Sequence, residues 1–212
     1  IEPEADGQVL VGTEWGGLFR AEGTKLEPVP ATTAKLYVRR IHRTPDGTLW
    51  FGTNEGIFKE SGGIMAKVLD YAWVLALGND NQGNLWFGNG WANGGLSRFD
   101  PKTGQTRTFG TEDGLLNNSV WAVEGDPEGG VWVGTSQGLG RVKDGQIEDF
   151  RERLGIRTGA VWDLALAEGQ LQICSRLGLH FWDGRRPISL TKTNGLPDLH
   201  IWSMARTRDG VL

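Results

Sequence analysis

The strongest constraint on the fold is an internal repeat with a period near 40 residues. The segment DGTLWFGTNEGIF (46–58) recurs as QGNLWFGNGWANGGLSRF (82–99) and EGGVWVGTSQGLGRV (128–142). Weaker copies are DGQVLVGTEWGGLF (6–19) and EGQLQICSRLGLHF (168–181). The matching turn glycines, 40, 36, 46, 40 and 41 residues apart, are Gly7, Gly47, Gly83, Gly129, Gly169 and Gly210. A period of this length with a Gly-Trp signature predicts a propeller or another repeat array.

Each repeat contains four short apolar segments separated by turn residues. In the best copy they are strand A (118–125), strand B (130–135), strand C (139–142) and strand D (146–150). Strand A is predicted again at 37–41, 73–77, 161–166 and 201–205. Strands of this length with regular turns predict an all-β fold. Strands A and B are apolar on consecutive residues, which indicates sheets covered on both faces. The prediction is therefore a β-propeller of four-stranded antiparallel blades.

Tryptophan and glycine recur at fixed places in these strands. Two sets of indoles are predicted to form the repeated core between blades, because each buries on the order of 200 Å². They are Trp50, Trp86 and Trp132 in strand B, and Trp73, Trp121, Trp162 and Trp202 near the start of strand A. Gly52, Gly88 and Gly134 lie inside strand B, where glycine marks a bulge or a close backbone approach. Cys174 takes that position in the last repeat and is predicted to be a small buried residue.

Composition excludes several classes of function. The 22 Lys and Arg against 26 Asp and Glu give a net charge of −4, so no nucleic-acid partner is expected. The chain has one cysteine and therefore no internal disulfide. No run of about 18 apolar residues exists, so no membrane contact by this segment is expected. His42, His180 and His200 lack metal-ligand spacing, and neither a metal nor a cofactor is predicted.

One stretch resembles a known repeat family closely. TEDGLLNNSVWAVEGDPEGGVWVGTSQGLGRV (111–142) is similar to the two-component regulator propeller repeat. TNGLPDLHIWSMARTRDGVL (193–212) matches the first half of that pattern and GNDNQGNLWFGNGWANGGLSRFDPKTGQ (78–105) the second. Leu10 and Gln172 depart from it, since they stand where the strand-B tryptophan is usual.

The resemblance implies a sensor module. Such repeats form propellers in the sensor regions of bacterial membrane-bound regulators, among them hybrid histidine kinases and some diguanylate cyclases. It therefore implies a periplasmic or otherwise extracytoplasmic ligand-binding domain that is not itself catalytic. Homodimerisation through a parent protein is a further expectation.

The chain is predicted to be a single propeller domain or a fragment of one. Its repeats run approximately over 1–43, 44–78, 79–125, 126–166 and 167–206, with a sixth starting at 207. Two arrangements stay open. Strand A at 200–206 could pair with strand B at 8–12 and close a five-bladed ring, or the five repeats are part of a seven-bladed ring whose next blade starts at Asp209. The second is favoured, because Val211-Leu212 would otherwise duplicate a strand. We therefore expect a piece of a longer chain.

The D–A and B–C loops of a propeller emerge on one face, and a ligand site is predicted there. Trp15 and Trp91 lie in B–C loops, outside the strand pattern. An exposed indole beside amides suits a small-molecule ligand such as an oligosaccharide. The predicted ligand-binding residues are Trp91, Asn89, Asn93, Trp15, Asn117, Asn118, Asn194 and His200. The alternatives are that Trp91 folds back over its blade and that the asparagines serve local turns.

Two other classes of function stay open. Streptogramin-type lyases are also propellers with similar strands and place catalytic His and Glu residues at the channel mouth. Only His200 offers itself here, without an obvious paired acid. The third possibility is a scaffold whose outer strands contact partner proteins.

Overall fold

Twenty strands make up almost all of the regular structure in the described part of the chain. The computed structural model describes residues 1–4, 7–29, 36–61, 64–91, 94–156 and 159–204. The strands are β1 (Glu2–Pro3), β2 (Val9–Thr13), β3 (Gly17–Glu22), β4 (Lys25–Pro28), β5 (Val38–Arg43), β6 (Leu49–Thr53), β7 (Ile57–Ser61), β8 (Ile64–Leu69), β9 (Val74–Asn79), β10 (Leu85–Asn89), β11 (Leu96–Phe99), β12 (Thr106–Phe109), β13 (Val120–Gly125), β14 (Val131–Thr135), β15 (Gly138–Lys143), β16 (Gln146–Asp149), β17 (Val161–Ala167), β18 (Gln170–Ser175), β19 (Gly178–Trp182) and β20 (Pro187–Leu190).

The described strands form five sheets of four consecutive strands each. In every sheet the spatial order follows the chain order A, B, C, D, from β1–β4 to β17–β20. Neighbouring strands pair antiparallel. The prediction of an all-β protein with four-stranded antiparallel blades is therefore confirmed. The chain divides into two compact units, residues 1–78 and 79–212, with the boundary inside β9.

Short helical turns occur in three loops that follow a fourth strand. They are the single-turn α-helix α1 (Arg151–Leu154) and the 3-10 turns Thr111–Asp113 and Lys192–Asn194. Each ends at a glycine with positive φ, namely Gly155, Gly114 or Gly195. Glycine reverses the chain there at low steric cost.

The strand predicted at 201–205 is not formed by its described residues, 201–204. The Ile201 amide donates to the Ser175 carbonyl at 3.1 Å, and the Met204 amide donates to Asp163 Oδ2 at 3.2 Å. These acceptors replace a strand ladder. At the other end of the chain, β1 already pairs with β2 through Glu2 and Leu10. In the described part of the chain, β1 therefore occupies that edge of β2. Asp209 and the sixth repeat lie outside the described residues.

In one repeat, a buried carboxylate joins the Asp-x-x-Gly turn to the tryptophan strand that follows it. Asp80 Oδ2 accepts from Trp86 Nε1 and from Asn84 Nδ2, both at 2.8 Å. Its Oδ1 accepts from the backbone amides of Gln82 and Asn84, both at 2.9 Å. Because a buried indole N–H needs an acceptor, the turn and the strand stabilise each other.

The strand-B tryptophans are buried, as predicted. Trp50, Trp86 and Trp132 are only 3 to 5% exposed. Trp132 meets Phe150 edge-on at 4.7 Å between ring centroids. Arg141 lies over the Trp132 ring at 5.2 Å, so the indole also carries a cation–π contact.

The strand-B glycines pack closely against the first strand of the next sheet. A Cβ on Gly52 would lie 2.7 Å from Val74 Cγ1, and one on Gly134 would lie 2.7 Å from Val161 Cγ1. Gly12 and Gly88 meet Val38 and Val120 in the same way. The prediction of a close approach is thus confirmed. Cys174, in the fifth sheet, is fully buried, and burial raises the pKa of its thiol to about 12.

The prediction that the strand-A tryptophans are core residues is wrong. Trp121 and Trp162 are half-buried, Trp73 is 36% exposed and Trp202 is 67% exposed. The reason is a β-bulge. Val120 and Ala122 pair with Thr135 and Gly134, which leaves Trp121 as the extra residue, and Trp162 is extra in the same way. A bulge re-aims the side chain of its extra residue, here away from the interior. Trp73 precedes its strand, and no strand surrounds Trp202 in 201–204.

Candidate functional site

The second unit carries a cleft of about 500 Å³ at the loop ends of its last two sheets. It is formed by the β14–β15 and β18–β19 turns, helix α1, the approach to β17 and the segment after β20. Its lining residues are Ser136, Gln137, Arg151, Gly159, Ala160, Trp162, Arg176, His200 and Trp202. These are B–C and D–A loops, so the cleft lies where the sequence predicts a ligand site.

The same pattern of side-chain hydrogen bonds fixes two tight turns that form walls of the cleft. Thr135 Oγ1 donates to the Gly138 carbonyl at 3.0 Å and accepts from the Gln137 amide at 3.1 Å. Ser175 Oγ lies 3.1 Å from the Gly178 carbonyl and accepts from the Leu177 amide at 2.9 Å. Each strand-B hydroxyl thus fixes a tight B–C turn. The turns hold Gln137 and Arg176 at the cleft with their side chains exposed.

Aromatic rings form one wall. Trp162 and Trp202 stack with ring centroids 4.1 Å apart and ring planes 14° from parallel. The His200 ring lies 5.9 Å from that of Trp162. Because Trp202 is 67% exposed, the stack offers apolar surface to the cleft rather than filling the core.

Two arginines line the cleft, and they differ in whether an acidic side chain balances their charge. Asp149 accepts from Arg151 Nε at 3.0 Å and from Nη2 at 2.7 Å. This hydrogen bonding lowers the pKa of the Asp149 carboxyl. In the described part of the chain, no residue forms a hydrogen bond with the guanidinium of Arg176. Among the described residues of the cleft, one positive charge is therefore uncompensated.

His200 lines the cleft, as the sequence predicts for a ligand residue. It also has an acidic neighbour, which sequence reasoning missed. Its Nδ1 lies 3.4 Å from Asp198 Oδ1, and its backbone amide donates to that oxygen at 2.9 Å. Both side chains are exposed.

Three predicted asparagines use their side-chain oxygens in local turns. Asn117 Oδ1 accepts from the Ser119 amide at 2.8 Å, and Asn118 Oδ1 accepts from the Thr111 amide at 2.9 Å. Asn194 Oδ1 accepts from the Thr191 amide at 3.1 Å. This geometry favours the turn interpretation, while the amide NH₂ groups are still able to meet a ligand. None of the three lines the cleft.

The loop of Trp91 forms a separate group in the same unit. Asn89 Oδ1 accepts from the Trp91 amide at 3.1 Å, and the Trp91 side chain is 65% exposed. The Gly95 amide donates to the Asn118 carbonyl at 2.9 Å, so this loop adjoins Asn118. Trp91 is therefore not a plug over its blade. Asn93 lies outside the described residues.

Trp15, in the first unit, belongs to a row of three rings. Its ring centroid is 6.0 Å from that of Tyr37, which is 5.8 Å from that of Trp73. Trp15 and Trp73 have φ of 65° and 57°, a left-handed conformation that is uncommon for bulky residues. Such strain at exposed aromatics is typical of functional positions.

Sequence reasoning missed most of the cleft. It assigned Trp162 and Trp202 to the core and did not single out Arg151, Arg176 or Gln137. A signal existed in the spacing to the turn glycine: Trp73 precedes Gly83 by 10 residues, but Trp121 and Trp162 precede theirs by 8 and 7. Trp73 therefore does not share the register of Trp121 and Trp162.

The described residues hold neither a metal-ion cluster nor a membrane-spanning helix. Within the described ranges, no three His, Cys, Asp or Glu side chains are grouped so that they could hold a metal ion. No helix there is long and apolar enough to cross a membrane.

Fold and loop face together define a β-propeller with a candidate ligand cleft. Residues 34–55 and 114–137 match the family model of the two component regulator propeller. The resemblance deduced from the sequence is thus confirmed at two repeats. The comparison with curated proteins finds no match.

Solved structures share the fold at low sequence identity. The extracellular domain of a hybrid two component system from B. thetaiotaomicron has a TM-score of 0.76 and 18% identity, over 98% of this chain and 31% of that one. PorZ, a surface component of the type-IX secretion system of Porphyromonas gingivalis, has a TM-score of 0.68 and 15% identity, over 97% of this chain and 35% of that one. An inactive virginiamycin B lyase from Staphylococcus aureus with quinupristin has a TM-score of 0.67 and 13% identity, over 91% of this chain and 68% of that one.

These likenesses show the fold alone. The chain spans about a third of the length of the extracellular two-component domains it matches.

Proposed function

We propose that this chain is the ligand-sensing propeller of a bacterial two-component, hybrid histidine kinase-type or related signalling protein, and that the propeller is not itself catalytic. The matches to the two component regulator propeller model support the class. Structural neighbours described as extracellular domains of hybrid two component systems support an extracytoplasmic location. A homodimer would form through the parent protein.

The observation that carries the proposal is the cleft of the second unit. It combines a stacked indole pair with arginine, glutamine and serine side chains at the loop ends. Apolar faces beside a few convergent polar groups are what small-molecule sites provide. An oligosaccharide fits this chemistry, because sugars offer apolar C–H faces and hydroxyl edges.

Trp202→Ala tests the location of the site. Isothermal titration of the full 212-residue chain with a library of neutral and acidic oligosaccharides should find a binder. Trp202→Ala should weaken that binder about tenfold or more, since stacking on an indole is lost. Trp91→Ala, a change at an equally exposed indole outside the cleft, is the matched control and should weaken it less. Full affinity in Trp202→Ala would remove the cleft from the site.

An enzyme is the second candidate, because Asp198 supplies the acidic neighbour that His200 lacked in the sequence. The pair lies on an exposed turn, however, and no Glu is among the described residues that line the cleft. We expect a cyclic depsipeptide such as quinupristin to stay intact when incubated with the chain. Linearised product detected by mass spectrometry, and lost in His200→Ala, would favour the lyase instead.

A further inference from the structure

Charge in the cleft favours one class of ligand over others. Arg176 brings a guanidinium without an acidic partner in the described part of the chain, while Asp149 neutralises Arg151. The net formal charge of the whole chain is −4, so this local positive charge opposes the overall balance. One carboxylate of a ligand would compensate Arg176 without meeting another carboxylate among the described lining residues.

Arg151 is held in position to donate further hydrogen bonds. Its stem lies against Gly138, where a Cβ would come within 2.6 Å of Arg151 Cγ. Asp149 engages Nε and Nη2, which leaves both Nη1 hydrogens and one Nη2 hydrogen for a ligand. Because Asp149 already fixes the guanidinium, little side-chain entropy is lost when a ligand accepts from it.

The neutral groups suit hydroxyls. Ser136 Oγ accepts from Trp121 Nε1 at 2.8 Å and so keeps its own hydrogen to donate. The exposed Gln137 amide can both donate and accept. Beside them, the exposed face of Trp202 matches the C–H face of a sugar ring.

We propose that the cleft recognises a carboxylate-bearing sugar, a uronate unit of an oligosaccharide, with its carboxylate on Arg176 and its ring against Trp202. This inference rests on the proposed function and narrows its ligand class. Arg151, Gln137 and Ser136 then bond the hydroxyls. Bidentate geometry makes arginine the residue suited to a carboxylate at a rim where water competes.

The test separates charge from shape. Tri-galacturonate and tri-mannuronate are titrated into the full chain beside their methyl esters, which keep the ring and lose the charge. At least one acid should bind about tenfold or more tightly than its ester, and added salt should weaken only the acid. Arg176→Gln should remove this preference. Arg185→Gln, which removes the same charge in the turn at the other end of β19, should retain it.

The two proposals fail in different ways. An acid and its ester that bind equally, or a preference that survives Arg176→Gln, would overturn the uronate assignment and leave the sensor proposal standing. Neutral trisaccharides that bind while both acids do not would do the same. A chain that binds no oligosaccharide of either kind would count against both.

Discussion

At the scale of the residue, His180 shows how burial tunes one side chain. Its Nε2 lies 2.9 Å from Ser175 Oγ and its Nδ1 lies 2.8 Å from Ser189 Oγ. Burial lowers the pKa of the imidazole from 6.5 to about 4. The neutral ring therefore links the strand-B hydroxyl that shapes the Arg176 turn to the outermost strand of its sheet.

This pKa predicts a pH dependence of stability. Between pH 6.5 and about 4 the unfolded chain binds a proton that the folded chain excludes, so unfolding becomes easier as the pH falls. Above pH 6.5 the contribution of His180 to the stability of the folded chain is fully present. From pH 7 to 5 the free energy of unfolding should drop by about 2 kcal/mol on account of His180. Urea unfolding at the two pH values measures it.

The matched variants are His180→Asn and His200→Asn. His180→Asn should be less stable at pH 7 but should lose less stability on going to pH 5 than the unchanged chain. His200→Asn alters an exposed imidazole and should keep the pH dependence of the unchanged chain. If His180→Asn kept that dependence as well, the histidine would not be its source.

At the scale of the element, strands A and B use tryptophan in opposite ways. Strand B pairs on both sides and carries Trp132 into the interior, whereas the bulge of strand A turns Trp121 toward the loop face. In the fifth sheet the same bulge makes Trp162 part of the cleft. One local irregularity thus separates core indoles from binding indoles.

Two alanine substitutions in one sheet test this division. Trp132→Ala should destabilise the protein by about 3–5 kcal/mol, because it empties a buried site. Trp121→Ala should cost less than about 2 kcal/mol, since it removes a half-buried ring and its hydrogen bond to Ser136. Urea unfolding compares the two. Equal losses would mean that the bulged indole also belongs to the core.

The same contrast explains how far the sequence predicts the structure. Strands B to D and their turns could be located because the repeats carry turn glycines and three of the five carry a strand-B tryptophan, as in 130–150. The cleft could not, because it joins side chains such as Gln137, Arg176 and Trp202 from different loops. Their convergence depends on the bulge register and on sheet-to-sheet packing, and the sequence of a single repeat predicts neither.

At the scale of the whole molecule, one contact recurs between successive sheets. The strand-B glycine of a sheet meets the first valine of the next strand A: Val38 Cγ1 would lie 2.9 Å from a Cβ on Gly12, and Val161 Cγ1 would lie 2.7 Å from one on Gly134. Each contact involves immediate neighbours only. Stability in such arrays is approximately a sum of repeat terms and nearest-neighbour terms.

A defect in one contact should therefore stay local. Gly134→Ala forces β14 and β17 apart and should speed amide hydrogen exchange in those strands about tenfold or more. Exchange in β2 and β5 should change little. Gly12→Ala should give the converse pattern, which makes each variant the control for the other. Exchange mass spectrometry on peptides from both units measures the effect. A uniform rise throughout the described strands in both variants would contradict nearest-neighbour coupling, because the defect would then be shared by one cooperative unit.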